Sequence, residues 1–232
     1  MTEPFRRTRR DLLRTLTVGG VAIASAVVLE GCGVGSTAQT VTPAPLPPPG
    51  HSGALIMIIR HGERPPASGP PQGVDAGGNP DIHSLTAQGW TRAGALFELF
   101  APAHGVPRPG LSRPTAIYAA GGTAGEGLRT RQTVTPLSVR LGIPVNTQFS
   151  KGDETALAQA VATRTEPTLI CWQHGELPAI VAALDRVTPT PPAVWPDDRY
   201  DLVWVLAPAA GGWSFHQIPE LLLSGDSNQS IA

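Results

Sequence analysis

The sequence predicts an α/β fold: a three-layer α/β/α sandwich with a mostly parallel central sheet. Short apolar segments at residues 54–59, 115–119 and 168–172 resemble strands that are buried on both faces of a parallel sheet. Segments with helical spacing of apolar residues lie between them, and this alternation is typical of α/β sandwiches. The chain has 232 residues, which is enough for one substantial core but not for two full-sized domains once the atypical residues 1–50 are set aside.

The net charge and the cysteine content of the chain argue against a nucleic-acid partner and against a disulfide. The formal net charge is -1 and the pI is about 6.6, so the chain lacks the concentrated basic face that a nucleic-acid partner requires. The two cysteines, Cys32 and Cys171, lie in different contexts, one after an apolar leader and one inside an apolar run. We therefore expect no disulfide between them. The sequence does not indicate an oligomeric state.

Residues 1–32 have the pattern of a signal peptide. Four arginines between positions 6 and 10 precede an apolar stretch at residues 18–29. Residues 8–14 resemble a twin-arginine export signal, in which paired arginines precede a short apolar pair and a basic residue. We expect an exported protein, either periplasmic or on the cell surface. The alternatives are an ordinary secretion signal or an uncleaved anchor, although the apolar run is shorter than the ~20 residues that span a bilayer.

The end of this leader resembles a lipobox. In Leu29-Glu30-Gly31-Cys32, cleavage before Cys32 would leave a cysteine that carries lipid and tethers the protein to a membrane. Glu30 departs from the small residue usual there, and the alternative is that Cys32 is removed with the leader. Residues 33–50 are rich in proline and predict a semi-rigid linker to the folded domain, residues 51–232.

The first part of that domain begins with a strand at residues 54–59, which ends directly at Arg60. From Pro65 to Pro80 the composition predicts a long loop. A helix follows, with Ser84 or Thr86 available as its N-cap. Its apolar face is formed by Leu85, Gly89, Ala93, Leu96, Phe97 and Phe100.

The remaining elements continue the alternation. A strand at residues 115–119 leads into a helix through residues 128–137, although Pro136 weakens the helical prediction. We then expect a short strand from Val145, a helix capped by Asp153 and a strand at residues 168–172. A last helix has Pro178 in its first turn. An antiparallel pair at residues 202–206 and 213–218 closes the domain.

Two histidines, His61 and His174, each follow the end of a predicted buried strand. Open α/β sheets bind ligands beyond the carboxyl ends of their strands, so we expect both side chains at one crevice. Arg60 and Arg64 flank the first histidine, and guanidinium groups match phosphate oxygens well. Gly62 between them permits a close backbone approach to a ligand.

These residues carry a resemblance to a known family. Residues 60–66 match the motif Arg-His-Gly-x-Arg-x-Pro, which opens the acid phosphatase branch of the histidine phosphatase superfamily. Arg129, three residues before Gln132-Thr133, is similar to a second family feature, with Arg131 as the alternative arginine. The sequence His174-Gly175-Glu176 resembles the His-Ala-Glu variant of that branch. The resemblance covers about residues 54–185.

The resemblance implies a phosphomonoester hydrolase that acts on a small phosphorylated substrate without a metal or cofactor. His61 would attack phosphorus and form a phosphohistidine, which water then hydrolyses. Charge on the phosphoryl oxygens would be neutralised by Arg60, Arg64, Arg129 and protonated His174. Glu176 is the candidate general acid. The rival acids are Glu63, Asp153 and Glu154.

Other residues lack supporting context. This holds for His51, His83, His104 and His216, and Cys171 is predicted to be a buried small hydrophobe. The sequence also departs from the family at Ala119-Ala120-Gly121-Gly122, where relatives often have a serine-rich strand end. The domain is too short for the large helical cap of the bigger acid phosphatases. Two alternatives therefore remain: a non-catalytic lipoprotein that binds a phosphate ligand, and a phosphotransferase of the phosphoglycerate mutase type.

Overall fold

The structure is a computed structural model and describes residues 55–123 and 125–232. The predicted signal peptide, the candidate lipidation site Cys32 and the predicted linker lie outside the described residues. Within the described part of the chain, no helix has the length and apolarity needed to cross a membrane.

A seven-stranded mixed sheet forms the centre of the described domain, in the order β3-β2-β4-β1-β6-β7-β5. The strand β6 is antiparallel to both β1 and β7, and the other paired strands run parallel. The predicted α/β fold with a mostly parallel sheet is therefore confirmed. The strands are β1 (Ile56–Arg60), β2 (Ala116–Ala119), β3 (Val145–Asn146), β4 (Thr168–Trp172), β5 (Val187–Thr188), β6 (Leu202–Ala209) and β7 (Gly212–Pro219).

Helices cover both faces of this sheet. Alternate residues of β1 belong to two separate apolar clusters, Ile56 and Ile58 to one and Met57 and Ile59 to the other, as the period of two in a strand requires. The first cluster contains side chains of α4 and α5, and the second contains side chains of α2 and α3. The helices are α1 (Ala87–Ala95), α2 (Phe97–Phe100), α3 (Leu128–Leu141), α4 (Glu154–Ala162) and α5 (Leu177–Ala182), with a 3₁₀ turn at His174–Glu176.

Several local predictions can be compared with these elements. The helix expected from residue 85 to residue 100 is divided into α1 and α2 at Leu96. Its N-cap is Thr86, whose Oγ1 accepts a hydrogen bond from the backbone N–H of Gly89, while Ser84 donates to Asp81 instead. Asp153 occupies the N-cap of α4, but its carboxylate accepts from the backbone of Ser150 and caps no helical N–H.

The helix α3 continues through Pro136. Proline lacks a backbone N–H, so one hydrogen bond of the helix is missing there. Val134 and Leu137 on either side of it are nevertheless fully buried in the core. Tertiary packing of an apolar face therefore outweighs the local cost, and the helix extends four residues past the predicted limit at Leu137.

Candidate functional site

The sheet topology explains why residues distant along the chain meet at one edge. The strands β1 and β4 are adjacent and parallel, with Arg60 opposite Trp172, so His61 and His174 both leave the sheet at the same edge. The backbone N–H of His61 also donates to the carbonyl oxygen of Trp172. Because β6 is antiparallel to β1, the segment that precedes β6, residues 196–201, reaches this edge as well.

A cavity of about 540 Å³ opens at this edge. Five of the sequence-predicted site residues line it together: His61, Arg64, Arg129, His174 and Glu176. The other residues that line it are His83, Gly125, Glu126, Gly127, Leu128, Thr130, Lys151, Gln173 and Gly175. The two histidines thus lie at one cavity with Arg64 and Arg129, whereas Arg60, also expected at the phosphate, does not line it.

His61 is buried at the wall of the cavity, with 5% of its surface exposed. Its Nδ1 lies 2.7 Å from the carbonyl oxygen of Gly62, and because a carbonyl only accepts, Nδ1 carries the hydrogen. The Nε2 atom of the neutral ring then keeps its lone pair. The pKa of His61 is lowered to about 3, mainly by burial and to a smaller extent by the positive charges of Arg60, Arg129 and His174, while the hydrogen bond to Gly62 opposes the shift.

Arg60 lies beside His61 but does not line the cavity. Its Nη1 donates to the carbonyl oxygens of Pro196, Asp197 and Arg199, and its guanidinium carbon lies 3.8 Å from the centre of the Tyr200 ring. Its Nε and Nη2 are buried and have no partner among the described residues. Burial lowers its pKa to about 10, so the group remains charged at neutral pH.

Arg129 is the helix arginine that reaches the cavity. Its Nη2 donates to the carbonyl oxygen of Ile82 at 2.6 Å and its Nε to that of Ser84 at 3.3 Å. Burial lowers its pKa, and the nearby charge of Arg64 adds to this effect. Arg131, the alternative in the sequence, donates instead to the carbonyl oxygens of Ala120 and Glu126 and does not line the cavity.

The N-terminal end of α3 also faces the cavity through residues 127–130. A helix N-terminus carries a partial positive charge and backbone N–H groups that favour anions. Gly127 stands at the N-cap with a φ of 62°, and a Cβ there would collide with the carbonyl oxygen of Ala120. Glycine is therefore required at this position to bring α3 so close to the end of β2.

His174 contacts a carboxylate that sequence reasoning missed. Its Nε2 lies 2.6 Å from Oδ1 of Asp197, which also lies 3.6 Å from Nη2 of Arg64. Burial and the charge of Arg60 lower the pKa of His174, while Asp197 opposes them. The sequence predicted the strand at residues 202–206 as one of an antiparallel pair with residues 213–218, but not its antiparallel pairing with β1, which brings the residues just before it to the edge where His61 lies.

The four candidate acids predicted from the sequence have different hydrogen-bond and ion-pair partners. Glu176 accepts from Nζ of Lys151 at 2.6 Å, and this hydrogen bond raises the pKa of Lys151. The three rival acids do not line the cavity. Glu63 pairs with Arg92, Asp153 accepts from Ser150, and Glu154 accepts from Nε1 of the Trp172 indole.

Two further expectations change with the structure. Gly62 was assigned to a close approach between backbone and ligand, but a Cβ there would lie 2.9 Å from the carbonyl oxygen of Gly89. The glycine thus allows this loop to pack on α1.

His83, which had no supporting context in the sequence, lines the cavity. Cys171 is buried with a free thiol, as predicted, and burial raises its pKa well above the ordinary value.

The described residues contain no group of three or more His, Cys, Asp or Glu side chains arranged to hold a metal ion. Comparison with models of known protein families finds no match to this chain, and comparison with curated proteins finds no significant match. The functional assignment therefore depends on the chemistry of the cavity and on the sequence motifs.

Proposed function

We propose that this protein is a phosphomonoester hydrolase that acts through a phosphohistidine on His61, as its resemblance to the histidine phosphatases implies. The observation that carries the proposal is the placement of His61 at a cavity with two arginines and a second histidine, its Nδ1 2.7 Å from the carbonyl oxygen of Gly62 and its Nε2 left for attack. A nucleophile must be unprotonated, and burial favours the neutral form of His61.

The surrounding charges suit the phosphoryl group. Phosphoryl transfer depends mostly on positioning and on charge stabilisation around the equatorial oxygens. Arg64, Arg129 and the N-terminal end of α3 present positive charge to the cavity without a metal ligand set. His174 adds a further donor when it is protonated. Arg60 is buried and does not line the cavity, but its charge acts on His61.

The reaction has two steps. The Nε2 lone pair of His61 forms a bond to phosphorus while the bond from phosphorus to the ester oxygen breaks. Water then attacks the phosphohistidine, releases inorganic phosphate and restores His61. In the first step the departing oxygen needs a proton. Two carboxyl groups are candidates for that role: Glu176, which lines the cavity, and Asp197, which does not line it but contacts His174 and Arg64 at its border.

Phosphate release by the purified protein tests the proposal. We expect metal-independent release of phosphate from p-nitrophenyl phosphate between pH 4 and pH 7 in the presence of a chelator. Bis(p-nitrophenyl) phosphate is the control, since a diester lacks the third terminal oxygen that the cationic cavity would bind. No release from the monoester would contradict the proposal, and so would transfer of the phosphoryl group to a phosphoglycerate in preference to water.

A further inference from the structure

We infer that Asp197, rather than Glu176, is the catalytic residue that protonates the departing oxygen. This inference rests on the proposed function. Among the described residues, Asp197 is the one carboxylate in ion-pair contact with the arginine and histidine side chains at the cavity, 2.6 Å from His174 and 3.6 Å from Arg64. An acid must lie within hydrogen-bond reach of the reacting group, and these two side chains border the place where phosphate would bind.

The backbone of Asp197 is fixed relative to the nucleophile. Its carbonyl oxygen accepts from Nη1 of Arg60 at 2.7 Å, and Arg60 is the residue immediately before His61. The same Nη1 binds the carbonyl oxygens of Pro196 and Arg199. The indole Nε1 of Trp195 also donates to the carbonyl oxygen of Arg199. A single buried guanidinium therefore holds the turn at residues 196–199 against the end of β1.

The carboxyl group itself faces solvent. The side chain of Asp197 is 71% exposed, whereas that of His174 is 28% exposed. A phosphate group on the donors of Arg64 and His174 would compete with Asp197 for both of its partners.

Glu176 is in a different situation. Its carboxylate is 2.6 Å from the ammonium of Lys151, and a phosphate group on the donors of Arg64 and His174 would leave this ion pair in place, whereas it would compete directly with Asp197 for both of its partners. It makes no ion pair with His174, Arg64 or Arg129 within the described residues. The Lys151–Glu176 pair forms part of the cavity wall.

The step balances with Asp197 as the acid. As Nε2 of His61 bonds to phosphorus, the electron pair of the breaking bond moves onto the ester oxygen, which takes the proton of Asp197 and leaves as an alcohol. The resulting Asp197 carboxylate then accepts a proton from the water that attacks the phosphohistidine. Phosphate leaves, and His61 and the Asp197 carboxyl return to their starting forms.

The test compares leaving groups in four proteins: the wild type, Asp197→Asn, Glu176→Gln and Asp198→Asn. Nitrophenolate departs without a proton, whereas the alkoxide of glycerol 2-phosphate needs one. For Asp197→Asn we expect kcat/KM to fall at least ~10²-fold with glycerol 2-phosphate and less than ~10-fold with p-nitrophenyl phosphate. Asp198→Asn, at the neighbouring exposed aspartate, controls for the charge and should change neither value.

Three outcomes would overturn the inference. An equal loss on both substrates in Asp197→Asn would show that Asp197 only orients His174. A loss confined to glycerol 2-phosphate in Glu176→Gln, without one in Asp197→Asn, would return the role to Glu176. If neither variant distinguishes the substrates, neither carboxyl is the acid. Failure of the proposed function is a separate outcome: the wild type would then release phosphate from neither p-nitrophenyl phosphate nor glycerol 2-phosphate.

Discussion

At the scale of single residues, two arginines on one helix provide a matched pair. Arg129 reaches the cavity, whereas Arg131 donates to two backbone carbonyls on the other side of the turn. We expect Arg129→Ala to lower kcat/KM with p-nitrophenyl phosphate ~10²- to 10³-fold, because a charged donor to the transferring group is lost. Steady-state kinetics measure kcat/KM, and thermal unfolding measures stability, in Arg129→Ala and in the comparison variant Arg131→Ala.

The Arg131→Ala variant should behave differently. It leaves the carbonyl oxygens of Ala120 and Glu126 with one donor fewer, so we expect a stability loss of about 1–2 kcal/mol and less than a ~10-fold change in kcat/KM. A larger loss of activity in Arg131→Ala than in Arg129→Ala would contradict the assignment of Arg129 to the site.

Residue types and short motifs predicted much of this site. His61, Arg64 and His174 could be found because each lies next to the end of a strand that the apolar pattern marks clearly. Asp197 could not, since it has no motif and reaches the site only through the antiparallel pairing of β6 with β1. The burial of Arg60 away from the cavity could not be predicted either, because its three carbonyl partners lie far along the chain.

At the scale of elements, the contact between α1 and the loop after β1 positions the nucleophile. A Cβ at Gly89 would lie 2.6 Å from the carbonyl oxygen and 2.9 Å from the nitrogen of Glu63, two residues after His61. We expect Gly89→Ala to shift this backbone, to reduce stability by about 1–3 kcal/mol and to lower kcat/KM. Thermal unfolding and p-nitrophenyl phosphate kinetics together measure both effects.

Gly94 supplies the control within the same helix. A Cβ there would meet nothing within 4 Å, so Gly94→Ala should raise stability by about 0.5–1 kcal/mol through helix propensity alone. Activity should not change. If Gly89→Ala behaves like Gly94→Ala, the proposed packing constraint on the His61 loop is wrong.

Element prediction was strongest where one physical effect dominates. Continuous apolar runs identified β1, β2 and β4 because these strands are buried on both faces. It was weakest where two effects compete. Pro136 argued for a break in α3, but burial of Val134 and Leu137 maintains the helix. The two-residue strand β5 is too short to give a periodic signal.

At the scale of the whole molecule, a buried ion cluster connects the loop after His61 to the C-terminal segment. Arg92 contacts the carboxylates of Glu63, Glu220 and Asp226 at distances between 2.7 and 2.8 Å. Burial raises the pKa of Glu220 to about 8, although Arg92 opposes the shift. The cluster therefore holds a proton that the unfolded chain would release near the ordinary carboxyl pKa.

This predicts how stability changes with pH. Between the ordinary pKa of about 4.5 and the folded value of about 8, the folded state binds more protons than the unfolded state, so stability falls as pH rises. Glu220→Gln mimics the protonated carboxyl. Over this pH range its free energy of unfolding should therefore fall less than that of the wild type, by about a few kcal/mol. Tm measured from pH 5 to pH 9 provides the comparison.

Glu98→Gln, at an exposed carboxylate on α2, is the control and should follow the wild type. A wild-type Tm that rises relative to Glu220→Gln between pH 5 and pH 8 would mean that Glu220 is ionised in the folded protein. Sequence reasoning did not find this cluster, because nothing in the pattern around Arg92 indicates partners more than 120 residues away.

The most direct test of the account is to locate the phosphoryl group on the enzyme during turnover. Because Nδ1 of His61 is hydrogen-bonded to the carbonyl oxygen of Gly62, we expect the adduct to form on Nε2. Quenching in alkaline denaturant, peptide mapping and ³¹P NMR should find phosphohistidine at Nε2 of His61 and none in His61→Ala. Phosphate attached at Nδ1 or at His174, or turnover without any phosphohistidine, would contradict the account.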